Sequence, residues 1–309
     1  MRRALGWMVV TTVAAISCSC DATRVSTKKN IPAAARPVAL DASREELLEK
    51  YNAVARGVKS INATVELKPT AGSQYSGVIE EYHEVKAFLL AARPAEIRMI
   101  GQAPVIGKTI FDMTSDGQTF RVLIPSKNKL LVGPVTMERA SSKPIENLRP
   151  QHLLDALLWP DVRKEEAVLF EEFNNEGGRY YVLTVLRGGY QTEILRKIWF
   201  DRADLQVARK QSYGPKGVLV SDSHFSDWQP LMGDPEQVGA TPSGVTSFPR
   251  EIRIERPHDD YRLELAITKL MLNQEIPADR FTLEQPAGTE LVNVGEAEEV
   301  KHPVKEPKP

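Results

Sequence analysis

The spacing of apolar residues changes its period once near the start of the chain. Over residues 41–58, Leu47, Tyr51, Val54 and Val58 recur at helical intervals and so share one face. Ser43-Arg44-Glu45-Glu46 carries the S-x-x-E spacing of a capping box just ahead of them. A few residues later, Ile61, Ala63, Val65 and Leu67 alternate with Asn62, Thr64, Glu66 and Lys68, the period of a half-buried strand. A helix laid beside a sheet is expected.

Strand patterns then continue over 76–91, 95–102, 109–115, 118–124 and 129–133, with Asp116-Gly117 as a hairpin turn. They resume over 167–173, 179–187, 190–200, 205–213, 218–228, 248–256 and 261–272, joined by short Gly-, Asn- or Pro-containing turns. About a dozen strands with such short connections leave no room for βαβ crossovers and predict an antiparallel meander. Two segments interrupt it. Residues 144–159, "PIENLRPQHLLDALLW", read as an apolar helix, and 230–247 read as an irregular Pro/Gly-rich insertion. Residues 287–309 lose periodicity and read as a disordered charged tail.

The first residues follow a different logic. Met1-Arg2-Arg3 is a basic head, and "ALGWMVVTTVAAI" behind it is apolar and uncharged. Spanning a bilayer takes about 20 apolar residues, and this run stops short, so 1–17 is expected to be a secretory signal. The chain's two cysteines, Cys18 and Cys20, stand directly after it. One residue apart, they would close a strained ring as a disulfide, and no histidine lies near to complete a metal site. Ala15-Ile16-Ser17-Cys18 resembles a bacterial lipobox, which implies that Cys18 is the lipid-attachment residue, with Cys20 the second candidate. Residues 18–40 then form a lipidated tether, polar and rich in Pro and Ala. As a random coil, the 22 residues from Ser19 to Leu40 span about 25 Å, which suits a domain held just off a membrane.

Composition removes several functions. Forty basic against 41 acidic residues gives a net charge of −1, and aromatics are 7%, so nothing draws the chain to nucleic acid. The five histidines are scattered without metal-ligand spacing, and His258-Asp259-Asp260 reads as a solvated turn. No nucleophile elbow or phosphate loop is present, and the adjacent pairs Glu80-Glu81 and Glu171-Glu172 point to opposite faces of their strands. Asn62-Ala63-Thr64 fits a glycosylation sequon but lies on a strand of an exported, bacterial-looking chain. The expectation is a binding protein, not an enzyme, with no cofactor and no metal.

Residues 93–134, "RPAEIRMIGQAPVIGKTIFDMTSDGQTFRVLIPSKNKLLVGP", resemble the core of the bacterial lipoprotein-localisation proteins LolA and LolB. The helical segment at 144–159 and the closing strands through 288 resemble the same superfamily, so the resemblance spans nearly all of a single domain at 41–286. It implies a mainly β fold with helices (α+β), an incomplete antiparallel β-barrel or strongly curved sheet, and helices covering its open side. It also implies an apolar cavity for lipid or lipoprotein acyl chains, lined or closed here by Leu47, Tyr51, Val54, Leu153, Leu154, Leu157 and Leu158. Whether the barrel is hollow or filled stays open at this point. The loop "QAPVIGK" at 102–108 stands where LolB projects an apolar residue, so Val105 and Ile106 are expected at a membrane- or cargo-contacting tip; the alternative is that the strand runs on and buries both. The implied setting is the periplasmic face of the outer membrane, reached through the N-terminal lipid, with a periplasmic carrier protein as a candidate partner. The tether, the 230–247 insertion and the tail are extra relative to LolB. They leave room for a second function class, an envelope sensor or scaffold that binds a protein partner.

Overall fold

Helix α1 (Arg44–Gly57) begins as its capping box specifies. The Ser43 hydroxyl accepts from the Glu46 amide at 3.2 Å, and the Glu46 carboxylate accepts from the Ser43 amide at 2.7 Å. Two orphan donors of the first turn are thereby satisfied. The helix buries Leu47, Tyr51 and Ala55. Val58 ends it in an extended conformation that feeds the first strand.

The computed structural model describes residues 38–73, 77–136, 147–175, 178–189, 192–231 and 244–294. The signal, both cysteines, most of the 230–247 insertion and the end of the tail lie outside the described residues. Strands β1 (Ser60–Ser73), β2 (Val78–Glu81), β3 (Val85–Ala92), β4 (Glu96–Gln102), β5 (Thr109–Ser115), β6 (Thr119–Ile124) and β7 (Lys129–Pro134) follow α1. After α2 (Gln151–Leu157) come β8 (Ala167–Asn175), β9 (Gly178–Arg187), β10 (Glu193–Asp201), β11 (Val207–Tyr213), β12 (Leu219–Pro230), β13 (Ser247–Arg256), β14 (Tyr261–Leu272) and β15 (Glu290–Asn293).

All belong to one open sheet in the order β15-β7-β6-β5-β4-β3-β1-β14-β13-β12-β11-β10-β9-β8, with β2 paired to the end of β1. The meander is thus joined in its middle by β1 and β14, which pair antiparallel from Ile61–Leu272 to Ala71–Tyr261. No helix among the described residues is long and apolar enough to cross a membrane.

Two expectations need correction. The strand expected over 76–91 is two strands. Between the pairs Leu67–Val85 and Thr70–Glu81, β1 has two residues and its partner three, so the ladder breaks at Pro69, which has no N–H to give. The tail expected from 287 contains β15, which pairs with β7 in parallel and so also breaks the all-antiparallel rule. The sheet itself is open, with β8 and β15 at opposite ends of its order.

Side chains alternate across the sheet. Val85, Ala87, Leu89 and Ala91 of β3 are buried, and Lys86 and Phe88 between them are exposed. Strand β14 changes phase, burying Leu263, Leu265 and Ile267 and then Leu270 and Leu272. A register shift between Thr64 and Val65 of β1 accounts for the change. The segment after β14 crosses β4–β6. The Arg280, Phe281 and Leu283 carbonyls accept from Arg98, Thr114 and Arg121 respectively, and Phe281 and Leu283 are buried.

Candidate functional site

Helices α1 and α2 bury their apolar faces in the same core as the strands. Tyr51 of α1 stacks on Trp159, just past α2, with ring centroids 5.3 Å apart and planes 12° apart. Its hydroxyl donates to the Pro160 carbonyl at 2.8 Å, and burial raises its pKa. Trp159 in turn meets Phe225 and Trp228 edge-on, at 5.1 and 6.1 Å. Asn52 of α1 donates to the Val162 carbonyl and accepts from the Val162 amide.

Arg93, at the end of β3, ties these pieces together. Its guanidinium donates to the carbonyls of Ala55 and Val58 at the end of α1, and to that of Trp159 after α2. Three carbonyls from two separate segments thus share one side chain, and burial holds its pKa down.

Beneath α2 the core turns polar. A register shift between Trp199 and Phe200 aligns Phe200 with Val207 but Trp199 with Arg209. The extra residue, Ala208, reverses the alternation of β11, so Lys210 and Ser212 face inward beside Ile198 and Arg196. The fully buried Lys210 ammonium lies 3.0 Å from the Asp155 carboxylate of α2 and also donates to the Asp155 carbonyl. Ser212 donates to the same carboxylate. Burial pushes the Asp155 carboxyl up, but the Lys210 charge and the hydrogen bonds from Ser212 and Lys210 outweigh it and hold it below its usual value. Burial lowers the pKa of Lys210 despite that partner. Arg196 binds the Asp161 carbonyl and Glu166, each at 2.8 Å.

One turn earlier in α2, His152 pairs its Nδ1 with the Tyr261 hydroxyl, while Arg256 approaches its Nε2 at 3.3 Å. Burial, then the Arg256 and Arg149 charges, hold His152 well below its ordinary pKa. Asp259, from the His258-Asp259-Asp260 turn, accepts from Arg256 at 2.8 Å.

Leu47, Tyr51, Leu153, Leu157 and Leu158 are buried in this core, and Val54 and Leu154 pack half-buried against it. The seven residues expected at a cavity are therefore brought together. A cleft of about 380 Å³ lies elsewhere, between the outer face of α1 (Arg44, Leu48, Arg56), the 162–166 connection and Val168 of β8. Val105 and Ile106 sit in the β4–β5 loop, 95% and 74% exposed. The Ala103 amide donates to the Lys108 carbonyl and the Gly107 amide to that of Ala103. Gly107, at φ 62°, supplies the left-handed residue this tight turn requires.

Arg93, Lys210 and Asp155 went unread in the sequence. Asp155 did leave a signal, a lone carboxylate inside "HLLDALLW". Lys210 left none, because a strand's alternation cannot reveal a bulge.

No family model and no curated protein matches the sequence. Among solved structures, a LolA superfamily protein from Nitrosomonas europaea is 13% identical with a TM-score of 0.44, covering 79% of this chain and 99% of that one. A domain from Vibrio parahaemolyticus, named for outer membrane lipoprotein sorting, is 12% identical with a TM-score of 0.44, covering 78% and 97%. A DUF1329 family protein from Desulfovibrio piger is 15% identical with a TM-score of 0.44, covering 75% and 95%. All three likenesses are distant.

Proposed function

We propose that this chain is an exported, lipid-anchored protein of the bacterial outer membrane that binds acyl chains or lipidated cargo and catalyses no reaction. In this reading Cys18 carries the lipid, the tether gives reach, and the sheet curves into an incomplete barrel whose open side α1 and α2 cover. The cargo's acyl chains enter between those helices and the sheet, against Leu47, Tyr51, Leu153 and Leu157.

The exposure of Val105 and Ile106 carries the reading. A tight turn usually presents polar residues, and two bare β-branched side chains at its tip forgo hydrophobic stabilisation of about 1.5–3 kcal/mol each. Contact with lipid recovers it. Changing both to Glu in the full-length protein should leave folding intact, because exposed positions shift stability by no more than about 0.5 kcal/mol. It should also slow lipopeptide transfer to liposomes severalfold. A double variant that folds and transfers at the wild-type rate would remove the loop from the mechanism.

One observation favours the second reading, a sensor or scaffold that binds a protein instead of lipid. The seven expected cavity residues are packed together in the core. Native mass spectrometry of the gently extracted protein separates the two, since cargo binding predicts copurified lipid and scaffolding a copurified protein.

A further inference from the structure

The start of α2 has no side-chain cap. Pro150 stands at the N-cap and offers nothing to the free amides of the first turn. Contacts with the sheet must hold this end. Beside the burial of Leu153 and a Gln151 bond to the Val135 carbonyl, they converge on His152. Its ring lies 6.0 Å from that of Tyr261, the first residue of β14, with planes 23° apart.

The partners of that ring fix where its proton sits. Arg256, the last residue of β13, approaches Nε2 at 3.3 Å, and a guanidinium can only donate. Nε2 therefore presents its lone pair, and Nδ1 carries the proton and donates to the Tyr261 hydroxyl. A second proton would have to go on Nε2, against the guanidinium. Arg149, just ahead of α2 and lying over the Phe120 ring of β6, adds a second opposing charge. Burial keeps the Tyr261 phenol neutral. Among the described residues, the nearby carboxylates are already engaged. Asp259, in the β13–β14 corner, accepts from Arg256, and Asp155, further along α2, is held by Lys210 and Ser212.

We propose that protonation of His152 releases the start of α2 from the β13–β14 corner, so that mild acid loosens this end of the helix while the other end stays shut. The two ends answer to different pH windows. Asp155 titrates below 3.8, so its pair with Lys210 persists throughout the range in which His152 responds. Beyond it, Arg93 keeps hold of the Trp159 carbonyl. Once released into water, the imidazole regains its ordinary pKa of about 6.5, and each opening is drawn on by the proton it takes up. The open fraction is then constant above that pH and rises about tenfold between about pH 7.5 and 5.5.

Hydrogen exchange of the full-length protein, expressed as protection factors so that the intrinsic effect of pH is removed, tests this latch. The amides to follow are that of His152, bonded to the Arg149 carbonyl, and those of Asp259 and Asp260, bonded to the Arg256 carbonyl. Their protection should fall about tenfold from about pH 7.5 to 5.5. It should be insensitive to low urea, as a local opening is. His152→Gln should abolish the pH response, and Arg256→Gln, which frees Asp259 to receive the imidazolium, should shrink it severalfold. A response that survives in His152→Gln or is undiminished in Arg256→Gln would overturn the proposal. So would a loss at His152 with the same urea dependence as at Leu158, whose amide closes the other end of α2, because the whole domain would then be opening. The consequence for cargo rests on the reading above: transfer of a lipopeptide with two or three chains should quicken over the same pH range in wild type and not in His152→Gln. A latch that opens without that change would stand, and the entry route beneath α2 would fall.

Discussion

Replacing Lys210 by Met tests how α2 is held to the sheet. The ammonium is wholly buried, 3.0 Å from a carboxylate whose own side chain is 33% exposed. Removing one partner of a buried pair typically costs about 3–5 kcal/mol, because the other charge is left desolvated. Water reaches part of Asp155, so the cost here should be nearer about 2–4 kcal/mol after screening. Lys210→Met with Asp155→Leu removes both charges and supplies apolar volume beneath α2, which is often neutral for buried pairs. The double variant should therefore recover to within about 1 kcal/mol of wild type. Equilibrium urea unfolding of the four proteins gives the cycle directly. A single variant costing under about 0.5 kcal/mol, or a double variant no better than the single, would show that packing and not charge holds α2.

The pH dependence has a definite sign. Asp155 titrates below its unfolded value of 3.8, so the unfolded chain binds the proton first as pH falls. The pair's contribution is complete above that value and is lost as pH drops through the lower folded pKa. The double variant should lack this portion of the acid sensitivity.

His152 adds a second window. Its folded pKa lies well below 6.5, so below about pH 6.5 stability should fall by up to about 1.4 kcal/mol per pH unit. His152→Gln should flatten that slope in urea titrations between about pH 7.5 and 5.5, and an unchanged slope would assign it to another group. Arg93→Leu strips three carbonyls of their donor and should cost about 2–4 kcal/mol. Hydrogen exchange should then quicken both at the end of α1 and around Trp159. Faster exchange at one of these alone would mean that Arg93 does not couple them.

What the sequence discloses follows the regularity of each element. α1 is legible because capping box and periodicity agree, and β5 spans the expected 109–115. Alternation fails wherever a bulge resets its phase, as at Ala208, and that is where the buried Lys210 sits. It also fails for β15, four residues whose parallel pairing depends on a neighbour more than 150 positions away. The exposed apolar loop could be singled out because Pro104 and Gly107 bracket Val105 and Ile106. Arg93 could not be, since its role lies in three carbonyls that only the fold assembles.

On the proposed reading, cargo must part the helices from the sheet, and magnitudes indicate which cargo can. Parting them gives up the edge-on contacts of Trp159 with Phe225 and Trp228 of β12, worth about 0.5–1.5 kcal/mol each. It also gives up the Arg93 hydrogen bonds, each about 1.5–3 kcal/mol for a charged donor, and at most the few kcal/mol of the Lys210–Asp155 pair. The cost totals about 10 kcal/mol, before any apolar surface of the helices is exposed. A single chain of about 15 methylenes returns about 12 kcal/mol at 0.8 per methylene, which barely covers it. Two or three chains on one headgroup exceed it by a wide margin. A one-chain fatty acid should therefore leave the helices shut, while a lipid or lipopeptide with two or three chains opens them. Hydrogen exchange at the end of α1, measured with each ligand in turn, separates the cases; equal exchange with both would mean that acyl chains do not enter there.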